Sequence, residues 1–143
     1  MAIGLYTGKI VLRDKTGGKL TEVQKCQSPI WTLAFQPAKF DTSDNVLAVG
    51  TWDENLTLYT VAQGKEINQI GSEKKLGFDP LSISYFSNGQ FMVIAGTNKK
   101  LTLWNKDGVR LGEIGELNDW IWSAQVCPEK KTILAGSNSG DIV

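Results

Sequence analysis

The chain has no histidine, two cysteines, two methionines and four prolines in 143 residues. Without histidine it lacks the commonest general base, the commonest zinc ligand and every Ser–His or Cys–His nucleophilic pair. Cys26 and Cys127 stand 101 residues apart, outside any CxxC spacing. That usage points to two reduced thiols in a cytosolic chain, with a single disulfide between them also left open at this level. Net charge is missing too, because 15 Lys and Arg balance 15 Asp and Glu. Nucleic acid or an anionic membrane as main partner requires a basic surface, so neither is expected. The longest apolar run is the five residues FMVIA at 91–95, too short to cross a bilayer. The first ten residues, MAIGLYTGKI, carry neither the basic start nor the apolar core of a secretory leader. No long window sustains a helical period.

What the sequence does contain is repetition. Laid against itself, it aligns on Gly4, Gly50, Gly96 and Gly136, with separations of 46, 46 and 40. An apolar-x-apolar triplet follows each glycine, beginning at Ile10, Leu56, Leu101 and Ile142. Upstream, IWTLAFQP (30–37), LSISYFSN (81–88) and IWSAQVCP (121–128) form a second aligned set. These runs are rich in β-branched and aromatic residues, and Pro29, Pro37, Pro80 and Pro128 bracket them without interrupting them, as strands require. Turn chemistry falls between the runs, at 53–55, 63–64, 98–100 and 107–108.

Each full unit therefore reads as four short strands, the sequence form of a β-propeller blade. The predicted fold is all-β: a partial WD40-type propeller of about three four-stranded antiparallel blades with degenerate repeats. A partial blade is expected over 1–27, complete blades over 28–72 and 79–116, and a partial blade over 119–143. Propellers usually have four to eight blades, so the chain reads as a fragment of a longer one. Isolated, it is expected to self-associate through open blade edges. The polar 38–45 loop is expected to project from one face.

The stretch GTWDENLTLYT (50–60) contains Trp52-Asp53, the dipeptide that names WD repeats. Aligned by glycine, however, the strand-closing position falls on Arg13-Asp14, Tyr59-Thr60 and Trp104-Asn105. Asp53 instead resembles the aspartate of the turn between second and third strands, whose carboxylate is able to bond local backbone donors. Trp31 and Trp122, at one recurring position of the first strand, are expected in blade-to-blade packing together with Trp104. Trp52 in its turn, and Trp120 beside Asp119, are the candidate protein-interface residues.

Other constellations are bland. Carboxylates are scattered through turns and loops, Asp41 and Asp44 among them, and read as solvated surface. Gly17-Gly18 lacks the spacing of a phosphate loop and reads as a turn. Lys74-Lys75, Lys99-Lys100 and Lys130-Lys131 are isolated pairs. No catalytic, cofactor-binding or metal site is expected.

Three stretches carry a more specific resemblance: SPIWTLAFQP followed by DNVLAVGTWD, LGFDPLSISYFSNGQ (76–90), and KDGVRLGEIGELNDWIW (106–122). Together they resemble the WD-repeat subunit of intraflagellar transport complex A, the intraflagellar transport protein 122 family, in the later part of its N-terminal propeller. The resemblance implies a non-catalytic scaffold in retrograde ciliary transport, cilium assembly and the admission of membrane proteins to cilia. It implies the other complex A subunits and ciliary cargo adaptors as partners, no cofactor, and a place in the cytoplasm, the cilium and the ciliary base. The alternatives are another coat or trafficking propeller, or a propeller hydrolase, against which the missing histidines and scattered carboxylates count.

Overall fold

The computed structural model describes residues 1–37, 44–62, 66–129 and 132–143, the side chain of Asp44 excepted. Of the expected 38–45 loop, Asp44 and Asn45 open a strand paired with Ala62 and Val61, while 38–43, the 63–64 turn and the Lys130-Lys131 pair fall outside those residues. Among the described residues there are thirteen strands and no helix.

Strands β1 (Ala2–Gly4), β2 (Lys9–Arg13) and β3 (Lys19–Gln24) form a three-stranded sheet. Next comes a four-stranded sheet of β4 (Ile30–Phe35), β5 (Asp44–Thr51), β6 (Asn55–Ala62) and β7 (Glu66–Lys75). A second repeats that order with β8 (Pro80–Tyr85), β9 (Phe91–Gly96), β10 (Lys100–Asn105) and β11 (Arg110–Glu116). Finally β12 (Ile121–Cys127) pairs with β13 (Thr132–Ser137), and Gly136 bridges Ile142. Every pairing is antiparallel between neighbours in sequence.

The middle strands are buried on both faces, so their apolar residues run consecutively. Leu47, Ala48 and Val49 are each fully buried, as are Met92, Val93, Ile94 and Ala95. Alternation still decides where each points. Leu47 and Val49 join Ile10, Leu12, Ile30 and Tyr59 between the first and second sheets. Ala48, Met92 and Ile94 join Leu56, Ile83 and Trp104 between the second and third. Val93 and Ala95 join Ile121, Ala124 and Ala135 between the third and fourth. Three cores thus lie at three sheet-to-sheet junctions. Trp104 sits inside the second, its indole N–H donating to Thr102 Oγ1 at 2.8 Å.

The register corrects one alignment. Thr57 opposes Val49, and Thr102 opposes Ile94, so the counterpart of Gly50 is Ala95, not Gly96. Gly96 then matches Thr51, and the triplets at 10, 56, 101 and 142 all keep one spacing. The physical need at this position is a small residue, not glycine itself. A Cβ on Gly50 would overlap Thr32 and Pro80, and one on Gly4 would overlap Ile30. Ile30 and Pro80 each open the first strand of the next sheet, and Ile121 does the same beside Ala95. Hydroxyls bind the first strands across the second and third of these junctions. Thr32 Oγ1 accepts from Ile83 N at 3.2 Å, Ser82 Oγ from Ala124 N at 3.0 Å and Ser84 Oγ from Val126 N at 3.1 Å.

Two residues at the WD strand-closing position take up turn capping. Asp14 Oδ1 accepts from Thr16 N and Gly18 N, and Asn105 Oδ1 accepts from Asp107 N and Val109 N. The Gly17-Gly18 pair is therefore a hairpin turn whose donors are already taken.

Gly50→Val is expected to lower unfolding free energy by about 2 kcal/mol through overpacking. Gly112→Ala, where a Cβ meets nothing, is expected to change it by less than about 0.5 kcal/mol. Urea unfolding followed by circular dichroism checks both, and equal losses would refute the close contact as the cause.

Candidate functional site

In an antiparallel sheet the start of the first strand, the end of the second and the start of the third share one end. Ile30 opposes Thr51, and Thr51 opposes Asn55. The loops entering β4, β8 and β12 therefore share an end with the β5–β6 and β9–β10 turns. Equivalent backbone bonds tie loop to turn in three sheets: Trp52 N to Pro29 O at 3.0 Å, Thr97 N to Asp79 O at 3.1 Å and Asn138 N to Trp120 O at 2.8 Å. The turns also share a left-handed residue, at Gly8 (φ 86°), Glu54 (φ 66°), Lys99 (φ 64°) and Gly140 (φ 92°).

Four tryptophans gather at this end. The centroids of Trp52 and Trp31 lie 5.1 Å apart, those of Trp31 and Trp122 6.4 Å, and those of Trp122 and Trp120 6.3 Å. Each ring is only half-buried, with Trp31 40% and Trp122 43% exposed. Trp31 and Trp122, expected in blade packing, thus leave the cores while Trp104 stays in one. Both fall where the ladder slips by a residue, between Ile30 and Thr32 and between Ile121 and Ser123. A bulged residue leaves the in–out alternation. Leu81 occupies the same slip in β8 and is buried, 7% exposed.

Polar contacts fix this end of the sheets. Trp122 Nε1 donates to Asn138 Oδ1 at 3.1 Å, and Asn138 Nδ2 donates to Asp119 Oδ2 at 3.1 Å. Asp119 Oδ1 accepts from Trp120 N at 2.8 Å. The Trp120 N–H and then the Asn138 amide hold the Asp119 carboxyl below the usual aspartate range. Asp53 accepts from the Thr51 hydroxyl, so its partner is a side chain and not the backbone donor expected for a turn acid. Burial, followed by the Glu54 and Asp53 carboxylates, pushes Asp79 up.

The thiols are free. Cys26 is buried, and burial pushes its thiol up although the Tyr59 hydroxyl lies 3.7 Å away. Among the described residues, no group of three or more Cys, Asp or Glu could hold a metal ion.

The sequence model for the IFT122 first β-propeller matches residues 1–143. The intraflagellar transport protein 122 homologues of Xenopus tropicalis and Mus musculus are each 37% identical over 99% of this chain. The Homo sapiens homologue is 39% identical over 69% of it. The chain spans about 12% of the length of the first two relatives. Among solved structures, the β-propeller domain of Cps50 (Swd1) from Myceliophteria thermophila superposes with a TM-score of 0.73 at 12% identity. That likeness covers 97% of this chain and 44% of that one, so the fold is a partial propeller.

Two measurements check the local chemistry. The Trp122 indole N–H resonance is expected to titrate with Asp119, with a midpoint below the usual aspartate range. A depressed carboxyl contributes stability above its unfolded pKa and loses it as pH falls through the folded value. The network should therefore hold at neutral pH and loosen only in acid, and Asn138→Ala should raise the midpoint read at the Trp120 amide, which donates to Asp119 directly. A midpoint unmoved by Asn138→Ala would dissociate the carboxyl from the network. Native alkylation with iodoacetamide should modify Cys127 and spare Cys26; peptide mapping would show the reverse if the burial argument fails.

Proposed function

The chain belongs to the IFT122 first β-propeller family, and from that premise we propose that it works as a non-catalytic scaffold in the intraflagellar transport complex A particle. The match of the family model across all 143 residues carries this reading. The particle would serve retrograde ciliary transport, cilium assembly and admission of membrane proteins. The partners are its other subunits and ciliary cargo adaptors, met in the cytoplasm, at the ciliary base and in the cilium.

Scaffold work suits the chemistry of the chain. It has no histidine, and its half-exposed side chains at the loop end are aromatic, which favours protein contact over acid–base catalysis. Residues 28–72 and 79–116 act as complete blades, with 1–27 and 119–143 as partial ones. Leu134 and Ile142 are exposed on the β12–β13 sheet, which supports self-association of the isolated chain through that face.

An epitope tag inserted within 38–45 of the native gene tests the reading in ciliated cells. Affinity purification with mass spectrometry should co-recover the other complex A subunits. Recovery of the tagged product without any ciliary partner would overturn it.

A further inference from the structure

We propose that the indoles of Trp52, Trp31, Trp122 and Trp120 form a docking track for an extended, arginine-bearing segment of a partner protein. The inference deepens the scaffold reading and rests on it.

The rings form one continuous series across sheets that are not neighbours. Trp31 belongs to the second sheet and Trp122 to the fourth, yet they touch over the third. The fold does not require indoles there, since Leu81 fills the same bulged position and is buried. The track is also preorganised. Trp122 is held through Asn138 by Asp119, while Trp52 and Trp120 are anchored through their backbones to Pro29 and Asn138. Rigid, half-buried aromatics lose little entropy on binding and suit hot spots.

Charge selects the occupant. Asp53 and Glu54 directly follow Trp52, and their fields reach Asp79. Asp119 precedes Trp120. None of these four carboxylates has an ion-pair partner among the described residues. Lys75, bonded to the Asp53 carbonyl, and Lys99, whose field reaches Asp119, are the basic groups nearby. Carboxylates that neighbour the indoles in the chain favour a cation at this end, and a guanidinium stacks on an indole better than an ammonium.

Spacing selects the backbone. Same-side side chains of an extended strand recur about every 6.6 Å, close to the 5.1, 6.4 and 6.3 Å steps between the rings. Arginines at alternate positions of an extended segment would each meet one indole.

The test uses the native gene product purified at its full length. Fluorescence anisotropy would follow a labelled peptide with arginines at alternate positions in a Gly/Ser background, at about 150 mM salt, beside lysine and glutamate counterparts. The arginine peptide should bind at least about tenfold more tightly than the glutamate one, and more tightly than the lysine one. Trp31→Leu/Trp122→Leu, which installs the residue already present at position 81, should weaken it about tenfold or more. Trp52→Ser, in an exposed turn, gives an independent variant should the double one misfold. Asp53→Asn/Glu54→Gln should weaken binding most at low salt. Equal binding of the arginine and glutamate peptides, or wild-type affinity in correctly folded tryptophan variants, would overturn the proposal. Co-recovery of complex A subunits with the same variants separates the two readings. Lost peptide binding with intact co-recovery supports the track as a site distinct from particle assembly. Unchanged peptide binding sinks the track and leaves the scaffold reading standing.

Discussion

A Cβ on Gly50 would occupy space already filled by Thr32 and Pro80, and one on Gly4 would meet Ile30. This close approach sets the distance between successive sheets. The first residue of each inner strand rests on a small residue of the sheet before it: Ile30 on Gly4, Pro80 on Gly50, and Ile121 beside Ala95. Once that contact is made, the hydroxyls of Thr32, Ser82 and Ser84 fall within hydrogen-bonding distance of the next inner strand's N–H groups. Those N–H groups would otherwise lie buried without a partner, a cost that recurs at the second and third junctions. A bulky residue at the small position would separate both the apolar and the polar halves of the joint.

The consequence is a chain whose core is divided. Strands β5 and β9 each supply two junctions with alternate residues, Leu47 and Val49 against Ala48 in β5 and Met92 and Ile94 against Val93 and Ala95 in β9. Neighbouring cores are therefore coupled through single strands, and a defect in β5 or β9 is felt on two sides. The outer strands carry less of this load. In β11 only Gly112 and Gly115 are half-buried, and Leu111 and Ile114 remain open to solvent.

Much of this was legible in the sequence because the strand period and the repeat period agree. The triplets at Ile10, Leu56, Leu101 and Ile142 are in true register. Gly96 lies one residue past the repeat position, where the packing requires only a small residue and Ala95 supplies it. The signal was present in the triplet spacing, five after Gly96 and six after the other glycines. The tryptophan cluster was harder to see. Trp52 and Trp120 stood out in their loops, but Trp31 and Trp122 sit inside strand-like runs, where recurrence implies core. Ladder slips at Trp31 and Trp122 take both out of the in–out alternation, and a slip leaves no mark in composition.

The contrast with Leu81 separates fold from function at that position. Three inner strands present one bulged residue each, and the structure tolerates either a buried leucine or a half-exposed tryptophan there. Were the position only structural, the apolar body of leucine would suffice, and an indole would add solvent-exposed apolar area for no gain. Instead two indoles meet across the intervening sheet, a third joins from the turn after β5, and a fourth precedes β12. The Asp119–Asn138 pair then spends its hydrogen-bonding capacity on orienting Trp122 instead of on closing a core. Polar groups recruited to hold exposed aromatic surface in one geometry are arranged as a binding surface is, with rigidity supplied before the partner arrives.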